Sequence, residues 1–405
     1  MNARAPKRIA LLVESSHGTG RDIVRGVGEF LGEQGCDWLI DHETQRLEGG
    51  PPAWLAKWRG DGVIARLHSE QVAKAVARLQ VPVVDVLNAL APAPGVHLAH
   101  VDEAAIARLA FEHLRAIGLR QFAFVGPVDR TWARQRRDVF KAAAAEVGMP
   151  VHVYELAKHL RVQELASRRA EHLVRWLRDL PRPVGVLAAN DSYAWLVSTA
   201  CRLAGLAVPE DVAILGVDND EVFCSLARPP ISSVVIAAVR LGFEAARLMD
   251  AILREGSPRE RREIIVPVLG VKSRASTDTL ATDDEDVKAA LALIRGHGSE
   301  KISVNAIAEA VGLSVSTLQR KFRTLVGHSV HEEAIRHRLQ TAMRLLSDTD
   351  LSILAVAHRA GFGHQEYLGR VFKSRLGVTP AEYRRATLRG IVRDARPVSQ
   401  QPGNP

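Results

Sequence analysis

The sequence predicts a two-lobed α/β domain followed by an all-α domain that carries two helix-turn-helix units. Strand-like and helix-like segments alternate through the first 270 residues, a polar stretch then breaks the pattern, and helical periodicity holds from there on. The chain has 405 residues, which is more than one domain usually holds. The α/β part alone is too long for a single five-stranded sheet, so we expect two lobes, each with a parallel sheet.

Short apolar segments in the α/β part are typical of buried parallel strands, and we expect them at residues 8–14, 60–66, 81–87, 121–126, 184–189 and 212–217. Between them, apolar residues recur every three or four positions, which predicts helices over residues 21–34, 102–117, 163–180 and 192–204. A helix over residues 239–253 and a strand over residues 264–271 are expected to complete this domain.

The predicted domain boundaries follow composition and charge. We expect a two-lobed α/β domain over residues 1–272, a linker rich in Ser, Thr and Asp over 273–286, a helical domain over 287–390 and a flexible tail over 391–405. The net charge is −1 over residues 1–286 and +8 over residues 287–390. A compact basic end on a neutral body is typical of a nucleic-acid reader attached to a sensor.

Several classes of protein are not supported by the sequence. The apolar runs are shorter than a membrane span, and the N-terminus has no apolar core of signal-peptide length, so we expect a cytoplasmic protein. Cys36, Cys201 and Cys224 lie far apart, and we interpret them as buried residues rather than disulfide partners or zinc ligands. No catalytic constellation, metal site or cofactor motif is found, so neither an enzyme nor a cofactor is predicted.

The helical part contains an internal repeat. Residues 306–313 align with residues 355–362, and after one inserted residue Leu318 aligns with Leu368 and Phe322 with Phe372. Each copy has an Ala-rich helix, a Gly turn and a second helix with an apolar face, which is the layout of a helix-turn-helix unit. The repeat predicts two such units.

The second helix of each copy is predicted to face DNA. Ser314 is placed to cap the first of these helices, and Leu318, Phe322 and Leu325 are predicted to point inward. The outward positions of the two reader helices then hold Ser316, Gln319, Arg320, Arg323, His364, Gln365, Glu366 and Arg370. The seventeen residues 330–346 join the units and would span roughly 26 Å as a helix, which suits readers in major grooves about 34 Å apart.

The C-terminal domain resembles the AraC family of transcriptional regulators over residues 287–388. The resemblance is carried by Ala-Gly-Phe at 360–362, Arg-Val-Phe-Lys at 370–373 and Gly-Val-Thr-Pro-Ala-Glu-Tyr-Arg at 377–384. His364 departs from the family pattern, because a small capping residue is more usual there, and Leu368 takes a place often held by Phe. The resemblance implies that the base readers are Ser316, Gln319, Arg320, Gln365, Glu366 and Arg370. Phosphate contacts are expected from Lys321, Arg323, Lys373 and Arg375.

The N-terminal part resembles a different family, the periplasmic-binding-protein-like effector domains of the lactose- and galactose-repressor type. The segments that carry this resemblance are residues 101–102, 113–118, 122–126, 189–191 and 214–219. In those repressors the DNA-binding domain precedes the effector domain, whereas here it follows. That order, together with the segments 26–31, 61–64, 132–133, 218–219 and 232–234, resembles the xylose operon regulators over nearly the whole chain. This resemblance implies D-xylose as effector, activation of pentose-catabolism genes through RNA polymerase, and a homodimer.

Polar residues that follow predicted strands mark a candidate sugar site between the lobes. Asp218 follows strand 212–217 directly, and its carboxylate can accept hydrogen bonds from two adjacent sugar hydroxyls. The other candidates are amide, guanidinium, indole and acidic groups at similar positions: Asn190, Asp191, Arg136, Trp132, Glu14 and His17. Capping roles for Asp218 and Asn190, and a core or arginine-covered position for Trp132, remain open. This mixture of groups favours a neutral polyol over an anion.

Other functions stay open at this stage. Another pentose or a hexose remains an alternative effector, since a few pocket substitutions can switch one sugar for another, and repression remains an alternative to activation. A sugar-binding transport or chemotaxis protein with a helical appendage would leave the paired readers unexplained. A sugar-modifying enzyme fused to a DNA-binding domain would need catalytic residues that the sequence does not offer.

Overall fold

The computed structural model describes residues 6–44, 50–90, 93–156, 166–256, 260–278, 284–296, 303–326, 328–376 and 378–388. It divides the chain into two compact units, Met1–Thr279 and Leu280–Pro405. No helix in these described ranges has both the length and the apolar character needed to cross a bilayer. The predicted tail over residues 391–405 lies outside the described residues.

The first lobe of the α/β unit is built on six parallel strands. They are β1 (Lys7–Leu12), β2 (Trp38–His42), β3 (Gly62–Ala65), β4 (Val83–Val86), β5 (Val96–Val101) and β11 (Glu263–Val266), in the order β11-β5-β4-β3-β1-β2. Helices α1 (Gly18–Gln34), α2 (Glu70–Ala77) and α8 (Ala238–Glu255) belong to this lobe, with a 3-10 helix at Ala53–Lys57. All residues of β3 and β4 and the last four residues of β1 are buried, as their apolar sequence pattern predicts.

The second lobe repeats this plan with one antiparallel edge strand. Its strands are β6 (Gln121–Pro127), β7 (Val151–Leu156), β8 (Val184–Ala188), β9 (Val212–Val217), β10 (Ser232–Ile236) and β12 (Val268–Lys272), in the order β12-β10-β9-β8-β6-β7. Only β12 runs antiparallel among the described strands of this sheet. The helices are α3 (Glu103–Ala116), α4 (Thr131–Ala145), α5 (Ala166–Asp179), α6 (Asp191–Ala204) and α7 (Glu221–Leu226). The predicted two-lobed α/β architecture is confirmed.

The chain crosses between the lobes three times, and one crossing corrects the sequence prediction. The crossings lie between β5 and α3, between β10 and α8, and between β11 and β12. The single strand predicted over residues 264–271 is wrong, because it divides at Pro267 into two strands that belong to different sheets. Proline has no backbone N–H to continue a ladder, so the strand ends there and the chain changes lobe.

The predicted linker begins too early. Residues Ala275–Thr277 form a 3-10 helix whose Ser276 and Thr277 are buried in the second lobe. The hydroxyl of Ser276 accepts a hydrogen bond from the Ser232 N–H at 2.8 Å, and Thr277 donates to the Ser232 hydroxyl at 2.7 Å. These bonds hold the first part of the predicted linker within the effector unit, so the boundary between the units lies after Thr279.

The second unit is helical throughout its described residues. It contains α9 (Glu285–Gly296), α10 (Val304–Ala310), α11 (Val315–Leu325), α12 (Val330–Asp348), α13 (Ile353–Arg359), α14 (Gln365–Leu376) and α15 (Pro380–Leu388). Helices α10 and α11 form the first predicted helix-turn-helix unit, and α13 and α14 form the second. Each unit has its own apolar core, centred on Leu318 and Phe322 in one and on Leu368 and Phe372 in the other.

Helices α1 and α8 pack with their backbones in contact, and glycine makes this possible. A Cβ atom added at Gly26 would lie 1.9 Å from the Val239 carbonyl oxygen, and one added at Gly242 would lie 1.9 Å from the Ile23 carbonyl oxygen. No side chain fits at either position without separating the helices. Gly28 lies on the same helix as Gly26 but is exposed, with no atom near the position of its missing Cβ.

We expect Gly26→Ala to lower the free energy of unfolding by about 2 kcal/mol, because the strain of overpacking exceeds the gain in helix propensity. Gly28→Ala is the matched control and should raise the free energy of unfolding by about 0.5–1 kcal/mol. Urea unfolding of the full chain, followed by circular dichroism, measures both changes. Equal effects of the two variants would contradict the proposed backbone contact.

Candidate ligand cleft and nucleic-acid interface

The carboxyl ends of the strands in the two lobes face each other across a cleft, and the chain makes direct bonds across it. The Gly18 N–H, in the first lobe, donates to the Asp220 carboxylate at 2.8 Å. The Thr131 N–H, in the second lobe, donates to the Ala89 carbonyl oxygen at 3.3 Å. The loops after β1, β3, β4, β6, β8 and β9 therefore surround one space, which is where open α/β sheets bind ligands.

Asp218 lies at the centre of this cleft. It follows β9, it is half-buried, and its backbone φ is 101°, which residues other than glycine rarely adopt. Burial raises the pKa of its carboxyl to about 6, while the nearby guanidinium groups of Arg136 and Arg66 act in the opposite direction. Arg66 belongs to the first lobe and Arg136 to the second, so positive charges on both sides of the cleft stabilise the ionised form of this carboxyl.

Arg136 is held rigidly beneath the cleft. Its side chain is buried, its Nε donates to the Glu103 carboxylate, and its Nη1 donates to the Ala189 carbonyl oxygen. Its guanidinium carbon lies 4.8 Å from the centre of the Trp132 ring. Three partners on α3, α4 and the end of β8 thus fix the position of one guanidinium, and its role as a donor to a ligand stays a prediction.

Trp132 is covered by this arginine. The indole is 7% exposed, and one face carries the guanidinium of Arg136, so the expected stacking on a sugar has at most the other face. Its Nε1 is buried with no hydrogen-bond partner among the described residues. An indole N–H in that position is available to a ligand acceptor.

The side-chain oxygens of Asn190 and Asp191 are bonded within the protein, and the two residues do not form the pair of ligand contacts that we expected. Asn190 caps α6, because its side-chain oxygen accepts from the Tyr193 N–H at 3.2 Å and from the Ser192 hydroxyl at 2.8 Å. Asp191 is fully buried, and its two oxygens accept from the Ser233 hydroxyl and the Asp220 N–H, both at 2.6 Å. Burial and the charge of Asp218 hold the pKa of Asp191 well above its usual range. Asp191 thus holds the loop after β9 in place from below, which corrects its expected position at the ligand.

Glu14 and His17 line the first-lobe side of the cleft. The Glu14 carboxylate lies 3.4 Å from Nη1 of Arg66 and 3.9 Å from Nε2 of His17. The His17 ring stacks on Phe223 of α7 in the second lobe, with ring centres 5.8 Å apart. His17 therefore takes part in contact between the lobes.

Three first-lobe residues in the cleft were not among the sequence candidates. Nε of Arg66, Nε2 of His68 and Oδ1 of Asn88 are buried and have no hydrogen-bond partner in the described part of the chain. Arg66 directly follows β3, and Asn88 follows β4 closely with a φ of 40°. The criterion that selected Asp218, a polar residue just after a strand, identifies both residues when it is applied to the first lobe. No cluster of three or more His, Cys, Asp or Glu side chains suited to a metal ion occurs in the described ranges.

The helix-turn-helix units present the predicted readers to solvent. Ser314 caps α11 by accepting from the Thr317 N–H at 3.2 Å, as the sequence predicts. Gln319 is half-buried, and the other predicted contact residues are exposed: Ser316, Arg320, Arg323, Gln365, Glu366, Arg370 and Lys373. The guanidinium of Arg370 lies over the Tyr367 ring at 5.8 Å, which helps to orient it.

Two expectations for the first reader helix are wrong. Leu325 is 45% exposed, because Val326, four residues after Phe322, takes the inward position. Lys321 is paired within the protein, since its ammonium donates to Asp284 at 2.7 Å and to Asp286 at 2.6 Å. These bonds raise the pKa of Lys321 and hold the start of α9 against α11.

Arg375, expected at phosphate, lies 3.6 Å from the Glu332 carboxylate. This ion pair joins α14 to the start of α12. The basic side chains of the reader helices that carry no such ion pair in the described residues include Arg320, Arg323 and Lys373.

Three family models match the chain. The XylR N-terminal domain matches residues 8–94, the periplasmic binding protein-like domain matches residues 111–277, and a helix-turn-helix domain matches residues 307–386. Together they cover both lobes and both helix-turn-helix units.

Curated relatives cover nearly the whole chain. The xylose operon regulatory protein of Escherichia coli K12 is 33% identical over 387 residues, which are 93% of this chain and 96% of that protein. The protein of the same name from Haemophilus influenzae is 28% identical, covering 93% of this chain and 98% of its own length.

Solved structures agree. A structure described as the xylose-binding transcription activator xylR has a TM-score of 0.77 at 32% identity, covering 95% of this chain and 99% of that one. A complex of the transcriptional regulator CelR with cellobiose has a TM-score of 0.54 at 24% identity over 68% of this chain and 86% of that one, and shows the effector fold alone. The chain therefore belongs to the family of xylose operon regulatory proteins, which are transcription regulators with an AraC-type DNA-binding domain.

Proposed function

We propose that this regulator binds D-xylose in the cleft and activates genes of sugar catabolism as a cytoplasmic homodimer that recruits RNA polymerase. The observation that carries the ligand site is a set of buried polar atoms at the cleft that have no hydrogen-bond partner among the described residues, on Arg66, His68, Asn88 and Trp132. Buried polar groups are normally paired, and a polyol would pair these. The names of the relatives that match over the whole chain support xylose as the sugar.

The groups in the cleft suggest how a sugar would be held. Asp218 would accept from two adjacent hydroxyls, while Arg136 and the amide nitrogen of Asn190 would donate to ring or hydroxyl oxygens. Arg66 and Asn88 would contact the sugar from the first lobe. Asp191 would not touch it but would keep Asp218 in its strained backbone conformation.

The balance of charge in the cleft favours an uncharged ligand. Arg66 lies beside Glu14, and Arg136 lies beside Glu103, so each guanidinium already has a carboxylate partner. The ligand then needs directional hydrogen bonds rather than a charge of its own. The protein would act as a sensor, because these groups bind and orient a sugar.

Sugar binding would act on DNA through coupled equilibria. A ligand that contacts both lobes binds the closed form more tightly than the open form, and it therefore shifts the population toward closure. The reader helices α11 and α14 would then engage DNA in the arrangement that closure favours. The same geometry would serve another pentose or a hexose, and it would serve repression as well as activation.

Calorimetric titration of the purified protein with D-xylose, L-arabinose, D-ribose and D-glucose tests the proposal. We expect saturable one-site binding of D-xylose and at least tenfold weaker binding of the other three sugars. Tighter binding of a different sugar would replace xylose as the effector. No binding by any of the four would remove the sugar assignment from the cleft.

The affinity for D-xylose should depend on pH through Asp218. Because sugar hydroxyls donate to the ionised carboxylate, and because its pKa is about 6, the dissociation constant should rise as pH falls from 8 to 5. Asp218→Asn should weaken binding at pH 8 by about 10- to 100-fold, since hydrogen bonds to a charged group are lost. Calorimetry over this pH range measures both effects.

The same Asp218→Asn protein serves as the control for other titrating groups. Its weaker affinity should change much less between pH 8 and pH 5, because the side chain at position 218 then carries no charge. A wild-type affinity that is independent of pH, or an Asn variant that binds as tightly as wild type, would contradict this role.

Arg320→Ala should weaken binding to a selected operator by roughly 1–3 kcal/mol, because an exposed arginine on a reader helix can bond guanine bidentately. The operator is first selected from random DNA with the wild-type protein. Fluorescence anisotropy then gives the affinity for that operator and for random DNA. The loss for Arg320→Ala should be larger on the operator.

Arg323→Ala is the matched comparison on the same helix. If Arg323 contacts a phosphate, its loss should weaken binding to the operator and to random DNA equally. It should also lower the salt dependence of the binding constant by about one released counterion. If Arg320→Ala behaved in this same way, Arg320 would be reassigned to the phosphate backbone.

A further inference from the structure

One carboxylate, that of Asp220, bonds to both lobes at once. Its Oδ1 accepts from the Val222 N–H at 3.1 Å and caps α7 in the second lobe. Its Oδ2 accepts from the Gly18 N–H at 2.8 Å, at the first residue of α1 in the first lobe. Asp220 is 7% exposed and Gly18 is half-buried, so this bond across the cleft is partly shielded from water.

Helix α1 obtains its N-terminal cap from the opposite lobe. The residue in its own cap position, His17, makes no capping hydrogen bond with its side chain. The first N–H groups of a helix have no partner within the helix, and the helix dipole favours a negative charge there. The carboxylate of Asp220 supplies both the acceptor and the charge, and it can do so only while the lobes are together.

The surroundings of Asp220 fix its position. The Asp191 carboxylate accepts from the Asp220 N–H at 2.6 Å, which anchors the backbone of the loop after β9. On the other side, the His17 ring stacks on Phe223, three residues beyond Asp220. The bond from Asp220 to Gly18 therefore joins two positioned loops, and the chain forms it with its own atoms.

We propose that Asp220 is a positioning residue that latches the lobes together and sets the fraction of closed protein before any sugar is bound. Its effect on sugar affinity rests on the proposed function, whereas its effect on closure does not. Because the apparent dissociation constant scales inversely with the closed fraction, the latch would raise affinity without touching the sugar.

Three variants separate the latch from the helix caps. Asp220→Ser keeps a capping side chain for α7 but is too short to reach Gly18. Gly18→Pro removes the N–H that donates to Asp220, and proline is well tolerated at the first position of a helix. The extended backbone of His17, with φ of −104° and ψ of 152°, suits a residue before proline.

Gly18→Ala is the matched control for Gly18→Pro. Both place a Cβ atom where the Asp220 carboxyl carbon lies 3.1 Å away. Only the proline variant lacks the N–H, and its Cδ takes the place of the hydrogen that points at Oδ2, so the carboxylate must also turn away. Asp220→Ser, which has no carboxylate to displace, separates the lost hydrogen bond from this crowding.

Closure is measured first, in the absence of sugar. Nitroxide labels at Glu33→Cys on α1 and Glu171→Cys on α5, in a Cys36→Ser background and diluted with unlabelled protein, give the distance between the lobes by electron–electron double resonance. Wild type and Gly18→Ala should show a larger closed fraction than Asp220→Ser and Gly18→Pro. Thermal unfolding by circular dichroism checks that all four proteins are folded.

Sugar affinity is measured second, by calorimetry with D-xylose. Asp220→Ser and Gly18→Pro should bind about tenfold more weakly than wild type, with Gly18→Ala close to wild type. Unchanged distance distributions in folded Asp220→Ser and Gly18→Pro would overturn the latch. If wild type bound no sugar, the proposed function would fail, while the distance measurement would still decide the latch.

Discussion

The effector unit depends on one buried guanidinium. Arg136 bonds to Glu103 at the start of α3 and to the carbonyl oxygen of Ala189 at the end of β8, and it covers the indole of Trp132. A charge taken out of water at this depth is tolerated only because each of these partners is in place. The same guanidinium acts on the pKa of Asp218, so the packing of three elements and the chemistry of the cleft share one group.

Sequence periodicity predicts most of this fold, because parallel strands and packed helices carry local apolar patterns. It fails where the pattern is not local. The run around Pro267 looks like one strand, yet its halves pair with strands more than thirty residues earlier and in different sheets. Ser276 and Thr277 have the composition of a linker, and only their bonds to Ser232 reveal that they are buried.

The candidate site shows the same division. Asp218 was selected because it follows a strand directly and Arg136 because it offers rigid donors, and both stay predictions as ligand contacts. The burial of both Asp191 oxygens was not predictable, because it depends on Ser233 and on a backbone N–H far along the chain. Lys321 is a similar case, since nothing in its own helix indicates that carboxylates from α9 will reach it.

The second helix-turn-helix repeat is one residue longer than the first. The extra residue is Gly363, which lies in the turn with a φ of 75°. An extra residue within a helix would rotate all that follows by about 100°, and it would carry Leu368 and Phe372 out of their core. In the turn it leaves both cores intact. A change in the length of this turn therefore moves one reader helix relative to its partner helix while the residues that fill each core keep their faces.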